Sequence, residues 1–317
     1  MKRCQKRFLT RFLGSLCLGG LLGGQAWANS ITPRAATTPP PLQLAQSYTD
    51  LIANALFQHY ALGQAAPVMT TGVSSQQAGQ LQVSFVRRLR ADLGPVVGFK
   101  AALTTPTAQT QFGVNHPLYG FLLEEMLLES GDKIPLQFGA RPVAEGDLMV
   151  RVRNDSINTA STDEDLLASL DAVIPFMELP DLFYQDGANV DATALVAINA
   201  GTRYGVMGDP IDLEPTPEWM TRLGQIQVRV INDAGQTIAS GDSSALMGHP
   251  ISSVRWLRDT LSAQGVTLQP GDLLSLGSMT PPTPVEAGRM SVRYFGLDPD
   301  GEPQDSVDIS VKLQDDD

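Results

Sequence analysis

Apolar positions along this chain change their period as it proceeds, and the changes mark out its elements. From Tyr48 to Gln64 the residues Leu51, Ile52, Ala55, Leu56 and Leu62 recur mostly at helical spacing. A second run opened by Ser74 carries Leu81, Phe85, Leu89 and Leu93. Two amphipathic helices are predicted. Val96-Val97-Gly98-Phe99-Lys100 then reads as a short buried strand, and Thr105 to Phe112 as a helix that begins at a capping Thr and ends at Gly113. Beyond it, Pro117–Met126, Arg141–Arg153, Ile226–Ile231, Thr237–Ser240, Leu273–Leu276 and Met290–Tyr294 read as strands bounded by Gly, Pro, Asn and Asp. Helices are predicted over Thr162–Ala172 and Pro250–Gln264. Asp298-Pro299-Asp300-Gly301 signals a turn, and Ser306–Leu313 alternates like an added edge strand. No repeat or heptad interrupts this order. The pattern predicts an α+β chain with a smaller helical part over 47–135 and a larger strand-rich part over 136–317.

The N-terminus changes the picture. Lys2, Arg3, Lys6, Arg7 and Arg11 precede an uncharged apolar stretch from Phe12 to Gly23, and Ala26-Trp27-Ala28 is a small-x-small cleavage site. This predicts a secretory signal over 1–28, cleaved after Ala28, with a flexible leader over 29–46 that includes Pro39-Pro40-Pro41. The apolar stretch is short of the roughly 20 residues that span a bilayer. A secreted or periplasmic protein is expected, with no membrane partner after cleavage. Both cysteines, Cys4 and Cys17, would leave with the signal, so no disulfide or thiolate chemistry is expected of the rest. The net charge of −12 would become −17 on loss of five basic residues, which argues against nucleic acid as a partner.

Candidate chemistry centres on Arg141-Pro142-Val143-Ala144-Glu145-Gly146-Asp147. Strand side chains alternate, so Glu145 and Asp147 share a face at the head of an apolar strand. Such a pair is either a solvated edge or a site whose repulsion is relieved by a cation or protons. Glu178 is a third acid set among apolar neighbours, and three such oxygen donors suit Mg²⁺ or Mn²⁺. His59, His116 and His249 lack the spacing of a zinc site. No phosphate-binding glycine loop occurs. Lys100 follows an apolar run and is either a strand-end lysine reaching solvent or one with a partner and a task.

Four segments carry a resemblance. They are Val97-Gly98-Phe99-Lys100-Ala101-Ala102-Leu103-Thr104, Phe112 through Leu122, Gly248-His249-Pro250 with Trp256-Leu257, and Pro270 through Thr280. In order and spacing the chain resembles the 2-keto-4-pentenoate hydratase and 4-oxalocrotonate decarboxylase branch of the fumarylacetoacetate hydrolase superfamily. The resemblance implies a small helical part followed by a mixed β-roll. It also implies a divalent ion, Mg²⁺ or Mn²⁺, on Glu145, Asp147 and Glu178. Lys100 and Glu145 are then catalytic, and Ser278, Thr280 and Asp181 face the substrate. That substrate is expected to be a small 2-oxo or 2-hydroxydienoic acid such as 2-hydroxypenta-2,4-dienoate, hydrated by a chain that assembles into homo-oligomers. Decarboxylation of the 4-oxalocrotonate type is the alternative reaction.

The chain also departs from the family. Glu178-Leu179-Pro180-Asp181-Leu182-Phe183 stands where E-x-x-D-S-R is common, Ala197-Ile198-Asn199 where A-D-N is usual, and Leu118 where some hydratases carry an aspartate. These departures favour the further alternative of an exported protein that binds a small carboxylate without turning it over.

Overall fold

The computed structural model describes residues 41–298 and 305–315. The signal expected over 1–28, the leader as far as position 40 and the turn beyond Asp298 lie outside them. The described residues from Thr49 onward form one compact unit.

Helix α1 (Pro41–Leu62) begins within the stretch expected to be leader. Its buried seam is Ile52, Ala53, Leu56 and Tyr60, whereas Leu51 and Leu62 are 66% and 65% exposed, so two of the apolar positions that marked the helix lie off its packed face. Helix α2 (Ser75–Leu93) starts where expected because Ser74 and Gln77 form a reciprocal capping box: Gln77 N donates to Ser74 Oγ and Ser74 N to Gln77 Oε1. Leu81, Phe85, Leu89 and Leu93 are all buried, and with the α1 seam, Phe183, Tyr184 and Leu195 they make a helical core.

The chain continues as β1 (Val96–Ala102), α3 (Pro106–Gln111, capped by Thr105), β2 (Leu118–Leu123), β3 (Leu127–Glu129), β4 (Lys133–Pro135) and β5 (Val143–Val152). Next come α4 (Asp163–Ala168), β6 (Leu170–Leu179), α5 (Ala192–Ala197), β7 (Tyr204–Met207), β8 (Ile211–Asp212), α6 (Pro217–Leu223), β9 (Gln227–Ile231) and β10 (Thr237–Asp242). The last elements are α7 (Pro250–Ala263), β11 (Leu273–Ser278), β12 (Thr283–Pro284), β13 (Gly288–Phe295) and β14 (Ser306–Gln314).

A mixed nine-stranded sheet runs β2-β1-β11-β5-β6-β7-β3, with β12 on β5 and β8 on β6. A five-stranded sheet runs β10-β9-β13-β14-β4. The architecture is therefore α+β, with N-terminal helices and a larger β region. The expected division at 135/136 falls between β4 and β5, and the nine-stranded sheet draws on both sides of it.

Among the elements that differ from expectation, three shape the sheets. The helix expected over Thr162–Ala172 stops at Ala168, and the chain turns at Ser169 into β6. This strand is buried on both faces, so its apolar residues do not alternate, and Pro175 within it argues against a central strand. The tail strand β14 is not at an edge: β13 flanks it on one side and β4 on the other.

Candidate active site

Neighbouring strands of the nine-stranded sheet place the singled-out residues on one face. In the antiparallel β5–β6 pair Glu145 lies opposite Glu178, and Asp147 opposite Phe176. Sequence separation between these acids is thereby removed by register alone. The parallel pairing of β1 with β11 sets Lys100 opposite Ser275, with β11 and β5 between its strand and β6. A small apolar patch of Leu122, Met149, Ala172, Ile174 and Phe176 packs alongside. Gly98 permits the close approach of β1 to β11, since a Cβ there would stand 2.0 Å from Leu273 O.

Lys100 does not reach solvent. It is 3% exposed, and its ammonium donates to Glu178 Oε1 and, at 3.2 Å, to Ala200 O. Nor are the acids a solvated edge. Asp147 and Glu178 are 0% and 2% exposed, and Glu145 alone of the three is partly open. Asp147 Oδ2 accepts from Ser275 Oγ at 2.6 Å and its Oδ1 from the Leu148 amide at 2.5 Å.

Burial, and then the charge of Glu178, push the Glu145 carboxyl up to about 8, with Lys100 acting in the opposite sense. The same two causes raise Asp147 well above the usual carboxylate range, against the pull of Ser275, the Leu148 amide and Lys100. Glu178 is thus the charge to which both neighbours respond. Ionised together, three carboxylates against one ammonium would leave the cluster two positive charges short of neutrality, which is the state that the raised Glu145 and Asp147 resist.

Among the described residues no three Asp, Glu, His or Cys side chains close into a ready metal cage. Glu178 is turned onto Lys100 and Asp147 onto Ser275. The donor set nevertheless suits a hard divalent ion: it supplies carboxylate oxygens, lacks the compensating charge, and opens toward solvent at Glu145.

The three remaining predicted residues have other engagements. Ser278 Oγ donates to Thr280 O at 2.7 Å, and Thr280 Oγ1 accepts from Gly146 N at 2.9 Å. These hydroxyls brace the backbone between Glu145 and Asp147. Asp181, 1% exposed, is not free to anchor a substrate, because its oxygens accept from the Ala140 and Arg141 amides at 3.0 and 2.7 Å. Arg203 lies 3.6 Å away, donates to Tyr60 O at 2.9 Å and sits 4.1 Å over the Tyr60 ring. With Phe183 in the family's arginine position, a guanidinium from the head of β7 faces Asp181 instead.

Several residues at the site were not singled out from the sequence. Ser275 is a hydroxyl with a leucine on either side, a signal that could have been read. Tyr294, on β13 of the five-stranded sheet, reaches the other sheet at the Asp147–Phe176 pair. Its hydroxyl lies 2.8 Å from Asp147 O and 2.7 Å from Phe176 O and accepts from Phe176 N at 3.1 Å. Asn199 and Ala200 both hold left-handed backbone, at φ 57° and 53°, a conformation that costs about 1 kcal/mol or more for each non-glycine residue. Only tertiary contacts make them necessary.

No protein-family model matches the chain. It is 30% identical over 219 residues to a 2-hydroxyhexa-2,4-dienoate hydratase of Comamonas testosteroni, an alignment covering 67% of this chain and 79% of that one. It is also 30% identical over 215 residues to a 4-oxalocrotonate decarboxylase of Pseudomonas putida, with the same coverage. The fold superposes on 4-oxalocrotonate decarboxylase from Pseudomonas putida G7, solved with magnesium and adipate, at a TM-score of 0.71. That match has 24% identity and covers 88% of this chain and all of the other. The extent of these alignments and the shared fold lead to one conclusion: the chain belongs to the 2-keto-4-pentenoate hydratase and 4-oxalocrotonate decarboxylase branch of the fumarylacetoacetate hydrolase superfamily.

Proposed function

We propose that this protein is an exported, divalent-metal-dependent hydro-lyase that adds water to a small 2-hydroxydienoate or 2-oxo-enoate such as 2-hydroxypenta-2,4-dienoate. The observation that carries the reading is the Glu145–Glu178 cross-strand pair, with Asp147 on the same face and Lys100 bound to Glu178. Glu145, Asp147 and Glu178 would hold Mg²⁺ or Mn²⁺, and the ion would supply Lewis-acid stabilisation of negative charge on the substrate's 2-oxygen and carboxylate. The related decarboxylase solved with magnesium supports that choice of ion class.

The chain's own residues do the rest. Tautomerisation moves the proton of the 2-hydroxyl to a carbon of the diene, and the buried Lys100 ammonium would relay it, giving one of its own protons to that carbon and being reprotonated from the hydroxyl. Glu145, the acid most open to solvent, would orient the water that then adds to the activated alkene. Ser278 and Thr280 keep Gly146 in place, so that Glu145 and Asp147 stay on one face.

Loss of dienol ultraviolet absorbance that requires Mg²⁺ and is abolished in Glu145→Ala and Glu178→Ala supports this reading. Full activity in either variant overturns the site. The decarboxylase at equal identity favours a second reaction, loss of carbon dioxide with the same enolate stabilisation, and carbon dioxide release distinguishes it. Binding of oxalate without turnover of either substrate would make the protein a carboxylate binder. Export rests on the basic and apolar N-terminal pattern, and the N-terminal sequence of protein from the extracytoplasmic fraction tests it: Asn29 first is expected, and Met1 retained refutes it.

A further inference from the structure

We infer that Asn199 is the positioning residue for Lys100, acting through the left-handed turn it shares with Ala200. This rests on the proposed role of Lys100. Asn199 is fully buried, and its side-chain amide pairs with a backbone as a strand would: Oδ1 accepts from Phe121 N at 2.8 Å and Nδ2 donates to Phe121 O at 2.9 Å. Phe121 lies on β2, at the end of the nine-stranded sheet, so this amide satisfies ladder groups on its outer edge. Gln82 of α2 completes the clamp, with Nε2 3.3 Å from Asn199 Oδ1 and 2.8 Å from Tyr119 O.

Fixing the side chain fixes the turn. Asn tolerates the left-handed region better than other non-glycine residues, and Thr202 Oγ1 locks the Asn199 carbonyl at 2.7 Å. The next carbonyl, that of Ala200, is thereby aimed at Lys100 Nζ, 3.2 Å away. Gly120, opposite Lys100 in the β1–β2 register, leaves the necessary room: a Cβ there would stand 2.9 Å from Asn199 O and 3.0 Å from Lys100 Cγ. An ammonium has three N–H bonds in tetrahedral arrangement. Glu178 and Ala200 O take two, which sets the direction of the third.

The test is a double-mutant cycle on Mg²⁺-dependent turnover with Asn199→Ala and Lys100→Met, alongside the Mg²⁺ dissociation constant of each protein. Asn199→Gly serves as a second variant, because glycine adopts the left-handed turn readily and removes only the amide clamp. The expected result is a fall in kcat of about 10- to 100-fold for Asn199→Ala or Asn199→Gly, Mg²⁺ affinity within about twofold of wild type, and no further loss when either is added to Lys100→Met. Wild-type kcat in a folded Asn199 variant, or losses that multiply in the double mutant, overturns the inference. Should the wild-type protein turn over neither substrate, the functional reading falls, and the inference is then decided by a crystal structure of Asn199→Gly. Separation of Lys100 Nζ from Ala200 O upholds it, and an undisturbed contact refutes it.

Discussion

Stripping divalent ions from the protein and raising the pH should destabilise it, because Glu145 and Asp147 are both raised in the fold, and the share carried by Glu145 can be worked out. The carboxyl has its ordinary value of 4.5 in the unfolded chain and about 8 in the fold, where burial and the charge of Glu178 oppose ionisation. Between those values the native state keeps a proton that the unfolded state has released. The stability tied to this group is therefore fully present below about pH 4.5, declines as pH rises, and is gone above about pH 8. At about 1.4 kcal/mol per pH unit the interval would amount to roughly 5 kcal/mol, and water reaching the partly open Glu145 reduces this to about 2–3 kcal/mol. Urea denaturation in EDTA across about pH 5 to pH 8 measures it, with Glu145→Gln as the reference that removes the titrating group. Excess Mg²⁺ should flatten the decline, since an ion that binds only the folded, ionised cluster restores stability by mass action. A profile in EDTA that matches the Glu145→Gln profile, or one that Mg²⁺ leaves unchanged, would refute the reasoning.

Lys100→Met should lower kcat by about 10²- to 10³-fold while Mg²⁺ still binds, read by steady-state kinetics and calorimetry; unchanged kcat would remove Lys100 from the chemistry. Tyr294→Phe leaves Phe176 N and the Asp147 carbonyl short of a partner in the interior, and should cost about 1–3 kcal/mol in urea denaturation. Arg203→Met uncovers the buried Asp181 carboxylate and should cost about 3 kcal/mol without altering Mg²⁺ affinity, which separates that pair from the active site.

The legible parts of the fold were those written locally. Ser74, Thr105 and Thr162 cap their helices through bonds spanning three residues, and each start could be read from a few letters. β6 was hidden because its signal is not local: a strand covered on both faces has no alternation, and Pro175 speaks against it. Asp181 and Arg203 were opaque for a related reason. A carboxylate beside apolar residues reads the same whether it faces substrate or, as here, the amides of a distant loop.

The sequence by itself determined that Glu145 and Asp147 share a face, because the side-chain period of a strand is two, and that Lys100 and Glu178 were charges in apolar surroundings needing partners. Tertiary structure alone decided that the partners are each other. Register between β5 and β6 brings Glu178 opposite Glu145, strand order brings Lys100 within reach, and the left-handed turn at Asn199 and Ala200 supplies the second acceptor. None of these has a local cause, since pairing of strands distant in the chain is set by which faces can be buried together.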